Sequence, residues 1–331
     1  MPLHEAHYQH WDGAHTGIWA RRGVIAQNTL LACLRTKSLR MVLVSCWLSA
    51  LLMAAFLFFL GQLLVPDSIV TTWVMQMNAN LQSFFGMFTA WLEGHPEISV
   101  RTTQNVLFYF YGVYLMPLSI FALGMVLPAF VTRDLASSAI VIYSSKAVTR
   151  FDYFLGKFSA AFAVMAMTWL GPVCAAWLVG NLLAPKWNFF WHARIALIHV
   201  LIFGLSSMVI LCLLALGVSA FSSREKATPA FWFIWWVLGL AIQPIALHTL
   251  PWLRHVAFGY NLRQIALEIF NMGQDLKTAQ ESIPIFGDML GKIRPETRAA
   301  LEDPTFFGAL AGLAMMLAVA VYILKKRVRP E

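Results

Sequence analysis

Apolar residues fall into runs longer than a soluble core uses. Met41 to Val65, Val106 to Thr132, Phe158 to Leu183, Ile195 to Phe221, Ala227 to Leu250 and Phe306 to Leu324 carry no charge. Crossing a bilayer takes ~20 apolar residues at ~1.5 Å rise each, so every run is long enough to span, some with tilt. Within lipid each backbone polar group needs a partner inside its own segment, which makes helices the expected form. Ser68 to Leu92 is also uncharged, but Thr71, Thr72, Gln76, Asn78, Asn80, Gln82 and Ser83 interrupt it. Its apolar positions, Met77, Leu81, Phe84, Phe85, Phe88, Trp91 and Leu92, recur at helical spacing behind a Pro66-Asp67-Ser68 start. That pattern predicts an amphipathic helix at the outer interface rather than a seventh crossing.

Charge sets the orientation. Six spans put Arg21, Arg22, Arg35, Lys37, Arg40, Arg133, Lys146, Arg150, Lys157, Arg224, Lys226, Lys325, Lys326, Arg327 and Arg329 on one side, most of the 24 basic residues. The positive-inside rule makes that side cytoplasmic. A seventh crossing would split the two basic termini. Gly17 to Leu39 interleaves Ile18, Ile25, Leu30, Leu31 and Leu34 with Arg21, Arg22 and Arg35, the pattern of a helix on an anionic inner leaflet. Outer helical pieces are expected over 261–272 and 283–293.

The expected fold is therefore an all-α integral membrane protein. It has six transmembrane helices, an N-terminal inner-leaflet amphipathic helix and outer interfacial helices. Residues 1–40 form a cytoplasmic tail and the amphipathic helix. Residues 41–325 form the six-span domain, with a cytoplasmic loop over 133–157 and outer segments over 66–105 and 251–305. Residues 326–331 form a cytoplasmic tail. The first 40 residues lack a signal-peptide pattern, so the first span reads as an uncleaved anchor. No internal repeat is visible.

Composition agrees: 59% of residues are hydrophobic and 12% charged, against roughly 25% charged in soluble domains. The net charge of +8 reads as cytoplasmic bias, since no aromatic-and-basic motif points to nucleic acid. Cys33, Cys46, Cys174 and Cys212 are scattered and suggest neither a disulfide framework nor a metal site.

Candidate chemistry is sparse. Gly156-Lys157 and Gly291-Lys292 lack the Ser/Thr and spaced glycines of a phosphate loop, so no ATP hydrolysis is expected from this chain. No acid lies in the six spans, which argues against a carboxylate proton relay. The polar residues inside them are Gln62, Asn181, His199, Gln243 and His248. These either line a substrate path or tie helices together. Gln62, Asn181 and His248 lie near span ends, leaving His199 and Gln243 as candidates for a path. No metal site is expected. The nearest approach to one is His4, His7 and His10, in a short tail with Gly13 and Gly17 that reads as solvated.

The most informative segment is Phe130 to Phe158. An acid, small and apolar residues, a basic turn, then aromatics and Gly-Lys lead into a span. Here the sequence resembles the ABC-2 type permease family, whose loop commonly reads "D…G…LL…S.P.SR..Y..GK". Asp134, Ser144, Ser145, Thr149, Arg150, Tyr153, Gly156 and Lys157 match that pattern. Two positions depart from it: Ala136-Ser137-Ser138 replaces the Gly after the acid, and Ala147-Val148 replaces the Pro. The helix layout extends the resemblance over most of residues 17–327, although the first outer loop is larger than in smaller members of the family.

The resemblance implies a dimer, or a pair with a paralogue, docked on two separate ATP-binding cassette subunits that bind ATP and Mg. This chain would itself hold no cofactor. A coupling helix over Leu135 to Tyr143 would dock on the ATPase, capped by Asp134, with Asp134, Tyr143, Lys146, Arg150 and Lys157 as the coupling residues. The expected function is that of an exporter's permease subunit in the bacterial inner membrane, with both termini cytoplasmic and no nucleic-acid partner. The alternatives are a membrane assembly or scaffold protein, and a lipid-modifying enzyme. The enzyme would need acid, Ser or His groups converging at one depth, a convergence that the sequence does not display.

Overall fold

The computed structural model describes residues 17–65, 67–139, 149–184, 187–248, 250–282 and 305–328. All regular structure among them is helical. Helix α1 (Ile18–Leu34) is the predicted amphipathic segment. The chain breaks at Arg35 and Thr36, and α2 (Lys37–Gln62) follows. The predicted interfacial helix over 68–92 is two helices, α3 (Ile69–Met75) and α4 (Ala79–Gly94). Local polar side chains decide that break. Ser68 Oγ accepts from the Thr71 N–H at 3.1 Å, and Asn78 Oδ1 accepts from the Leu81 N–H at 3.0 Å, so each caps a new helix. At 16 residues, α4 is ~24 Å long, short of the ~30 Å hydrocarbon core.

Helix α5 (Pro96–Val126) starts ten residues before the apolar run it contains. A short α6 (Thr132–Ala136) follows, then α7 (Arg150–Met165), which continues through a π turn at Ala166–Leu170 into α8 (Gly171–Leu182). Helices α9 (Trp187–Phe221) and α10 (Ala227–His248) lead to α11 (Phe258–Ile269) and α12 (Met272–Ser282), and α13 (Phe306–Arg327) closes the described fold. The helix expected over 261–272 is thus α11 shifted toward its N-terminus. The one expected over 283–293 lies outside the described residues, as do His4, His7, His10, Tyr143 and Lys146.

Five stretches are long and apolar enough to cross a membrane: α2, α5 through α6, α7 through α8, α9 and α13. In α10 the apolar stretch with described side chains is Ala227–Gln243. These are the properties of a multi-pass helical membrane protein. Helices α5 and α9 pack along each other and are largely buried, whereas α2 and α13 are mostly exposed along their apolar lengths. Val44, Leu51 and Leu52 on α2 stand out from the bundle, a face that lipid tolerates and water does not.

The π turn shows how irregular backbone is satisfied without water. Pro172 cannot donate to the Thr168 carbonyl one turn back, and Ser119 Oγ donates to it instead at 3.3 Å. The Met167 carbonyl accepts from the Trp47 indole at 3.1 Å. Buried indoles serve the same purpose elsewhere: Trp169 donates to the Gly112 carbonyl and Trp232 to that of Ile120, both at 3.0 Å.

Candidate functional site

Successive long helices run in alternating directions. One end of the bundle therefore gathers α1, α6, the start of α7, the α9–α10 turn and the end of α13, with most of the basic residues. Here Lys157 Nζ lies 2.8 Å from Asp134 Oδ2, with side chains only 6% and 15% exposed. The Tyr153 hydroxyl donates to the same carboxylate oxygen at 2.7 Å. Lys157 also donates to the Ala129 carbonyl at 3.4 Å. One acid thus joins the segment entering the 133–157 loop to the helix leaving it. Tyr153 and Lys157 are four residues apart on α7, so they share a face.

The predicted role of Asp134 as a helix N-cap is corrected. Helix α6 begins at Thr132, ahead of Asp134, and its free N–H groups are satisfied from another helix. Ser219 Oγ on α9 accepts from Val131 N at 2.9 Å and Thr132 N at 3.1 Å. The predicted start of a helix at Leu135 gives way to an α6 that ends at Ala136, and Ser138 adopts φ 56°, a left-handed conformation that ends the helix. Residues 140–148 lie outside the described set.

A second ion pair secures α7 from its other side. Arg22 Nε on α1 lies 2.6 Å from Asp152 Oδ1. Thr149 and Asp152 form a reciprocal capping box at the start of α7. The 33 residues of Arg150–Leu182 span ~50 Å, so the first turns of α7, with Asp152, project beyond the ~30 Å core. The Thr149 hydroxyl and then the Arg22 guanidinium hold the Asp152 carboxyl down to about 2. Below this contact Gly156 faces Ile25, and a Cβ at 156 would fall 2.7 Å from Ile25 Cγ2. Gly156 thus serves helix packing and not phosphate binding. On α1, burial pushes the Cys33 thiol up to about 12 despite the pull of Lys157 and Arg133, which leaves it an unreactive core residue. Arg150 is exposed at the first position of α7.

The opposite end holds a polar cluster that the sequence reading missed. Asp275 on α12 is 3% exposed. Its carboxylate accepts from Asn105 Nδ2 at 2.8 Å and from the Thr102 hydroxyl at 3.4 Å, both on α5. Asn105 Oδ1 is 3.2 Å from His199 Nδ1 on α9. Among the described residues Asp275 makes no ion pair. His199, half-buried, is thereby tied into an acid–amide–imidazole string with the buried Asn105 and Asp275. Gln243 has no hydrogen-bond partner among the described residues and does not join the string. Asn181 accepts from Gln104 Nε2 at 2.9 Å, a tie between α8 and α5.

Next to this cluster lies a cavity of about 440 Å³ walled by Phe56, Phe59, Phe84, Phe85, Phe88 and Trp91. Thr102 and Thr103 of α5 and Leu276 of α12 also line it. Thr103 Oγ1 and Gln104 Oε1 are buried without a partner among the described residues. An apolar body with one or two hydrogen-bonding groups matches this lining.

No protein-family model matches the chain, and no curated protein matches it in sequence. The resemblance to ABC-2 permeases is thus an expectation from the sequence pattern of residues 130–158 and the order of the apolar runs.

Proposed function

We propose that the chain is the membrane-spanning permease subunit of an ATP-driven exporter of the ABC-2 type. In this reading α10 is a sixth span, both termini are cytoplasmic, and the chain sits in a bacterial inner membrane. It pairs with a second permease copy or a paralogue. Separate ATP-binding cassette subunits, which hold ATP and Mg, dock at the basic end. The observation that carries the reading is the Asp134–Tyr153–Lys157 knot. It closes the base of the 133–157 loop and ties it to α7 and, through Ala129, to the end of α5. A push delivered at that loop is thereby passed to two long helices and not lost in slack chain. Arg150, exposed beside the knot, is the most exposed of the described coupling residues. The polar string at Asp275 and the aromatic cavity support a substrate with a hydrophobic body.

The test is co-expression with a candidate ATPase subunit. The complex should co-purify and hydrolyse ATP, and the purified chain alone should not. Arg150→Glu should weaken co-purification, since a like charge at a docked surface costs several kcal/mol. Unchanged assembly in Arg150→Glu, with loss in Lys277→Glu at the opposite end, would overturn the reading.

A second reading has one specific observation in its favour. Asp275 and His199 are joined through Asn105, the kind of acid–imidazole proximity that a membrane-embedded enzyme acting on lipid would use. The two are linked only through Asn105, and the nearest hydroxyl is Thr102. Hydrolysis of a lipid substrate by the isolated chain, abolished in His199→Gln, would favour this reading over transport.

A further inference from the structure

Between α7, α9 and α13 at the basic end, a cleft of about 440 Å³ opens on the bundle surface. Its walls are apolar: Phe151 and Phe154 from α7, Leu213 and Leu216 from α9, and Val321 and Leu324 from α13. Its rim carries Arg150, Lys157 and Lys325. The three cations differ in availability. Lys157 is engaged by Asp134 and the Ala129 carbonyl. Arg150 and Lys325 are exposed and make no ion pair among the described residues. The nearby acids are engaged too, Asp134 by Lys157 and Asp152 by Arg22. The N-terminal amides of α7 already face the Thr149–Asp152 capping box. An anion at this rim would therefore meet a guanidinium and an ammonium, with no competing carboxylate left free among the described residues. Lys326 and Arg327 follow in the last turn of α13, adding positive potential.

An apolar floor below a cationic rim complements an amphiphile with an anionic head. We propose that this cleft binds an anionic phospholipid of the cytoplasmic leaflet, its phosphate held between Arg150 and Lys325 and one acyl chain lying along Leu216, Val321 and Leu324. Basic pockets between membrane helices on the cytoplasmic side suit such headgroups, and Arg offers a forked donor to phosphate oxygens. A zwitterionic lipid would bring its own cation toward two others. The inference rests on the part of the proposed function that turns the basic end to the cytoplasm, and not on an ATPase partner.

The experiment is native mass spectrometry of the full chain, delipidated in mild detergent. It is then incubated with phosphatidylglycerol or phosphatidylcholine of the same acyl chains. The wild-type chain should retain phosphatidylglycerol at least tenfold more tightly than phosphatidylcholine. Arg150→Gln with Lys325→Gln should abolish that preference, while Arg150→Lys should keep most of it. Val321→Trp, which fills the floor and leaves both charges, should lower retention of phosphatidylglycerol as well. Three results would each overturn the proposal: equal retention of the two lipids by wild type, full retention by the double variant, or a cysteine at 321 cross-linking two copies across the cleft. Because no ATPase is present, failure here is distinct from failure of ATPase docking.

Discussion

Asp275, on a helix outside every predicted span, accepts a 2.8 Å hydrogen bond from Asn105 on α5, the helix that packs along α9 at the centre of the bundle. A chain whose apolar runs hold no acid therefore carries a buried carboxylate after all. It is inserted sideways from the segment between α10 and α13. A buried carboxylate with no ion partner among the described residues is costly, and here amide and hydroxyl donors from α5 offset part of that cost.

Removing the carboxylate should expose its structural part. Asp275→Ala leaves the Asn105 amide and the Thr102 hydroxyl without their acceptor, a loss of about 1–3 kcal/mol. Asp275→Asn keeps the shape and one acceptor, and should cost less. Thermal unfolding of both purified variants in detergent separates them. Should Asp275→Ala melt with wild type, Asp275 is not the acceptor that holds α12 to α5.

The five helices long and apolar enough to cross a membrane were legible because lipid imposes a simple condition, uninterrupted apolar length. Asp275 was missed for the opposite reason: it lies in a polar loop by composition. Its signal was present in the spacing. Met272, Asp275, Leu276 and Ala279 fall at i, i+3, i+4 and i+7 on one helix face, so the acid sits within the apolar stripe. At the basic end the loop pattern singled out Asp134 and Lys157, which the structure pairs, but it assigned Asp134 the wrong partner. The sequence could offer only local N–H groups as its target. The structure supplies Ser219 from a distant helix to cap α6, which frees Asp134 for Lys157 and Tyr153. Gly156 was legible as part of a motif, but its packing against Ile25 depends on where α1 lies, which no local pattern encodes.

The Asp134–Lys157 pair should show strong coupling. Removing one partner from a largely buried pair leaves an uncompensated charge, at about 3–5 kcal/mol. Asp134→Asn and Lys157→Gln should each be strongly destabilising. The double variant should be less so than the sum, because neither charge is stranded. A double-mutant cycle by denaturant or thermal unfolding measures the coupling. Simple additivity would mean that the pair contributes nothing as a pair.

The α1–α7 crossing makes a size-exchange prediction. Gly156→Val puts atoms where Ile25 Cγ2 and Cβ already lie, at 2.7 and 2.8 Å from a Cβ. Overpacking of this kind costs about 1–3 kcal/mol, and here it should lever α1 away from α7. Limited proteolysis should then cut more readily between residues 17 and 36. Adding Ile25→Ala should restore protection, because it returns the space. Persistent sensitivity in the double variant would place the contact elsewhere.

The crossing number can be settled by cysteine accessibility in a background with the four native cysteines replaced by alanine. The choice of positions follows from exposure. Asp275 is a poor reporter despite its place in the outer loop, because it is 3% exposed. Lys277, two residues on, is exposed, as are His95, Arg224, Trp252 and Arg327. With six spans, cysteines at 95, 252 and 277 should react with an impermeant maleimide from outside intact cells. Those at 224 and 327 should react only after the membrane is opened. The pair at 224 and 252 brackets α10, the helix whose crossing rests on the shortest described apolar stretch. If both label from the same side, α10 does not span. The alternation of basic and opposite ends then fails from that helix onward. If 95 labels from the same side as a cysteine at the exposed Lys37, α3 and α4 together cross, and the 133–157 loop falls on the side opposite the N-terminus. The expected pattern follows from α4, too short to span at ~24 Å, and from a basic end that the positive-inside rule turns to the cytoplasm.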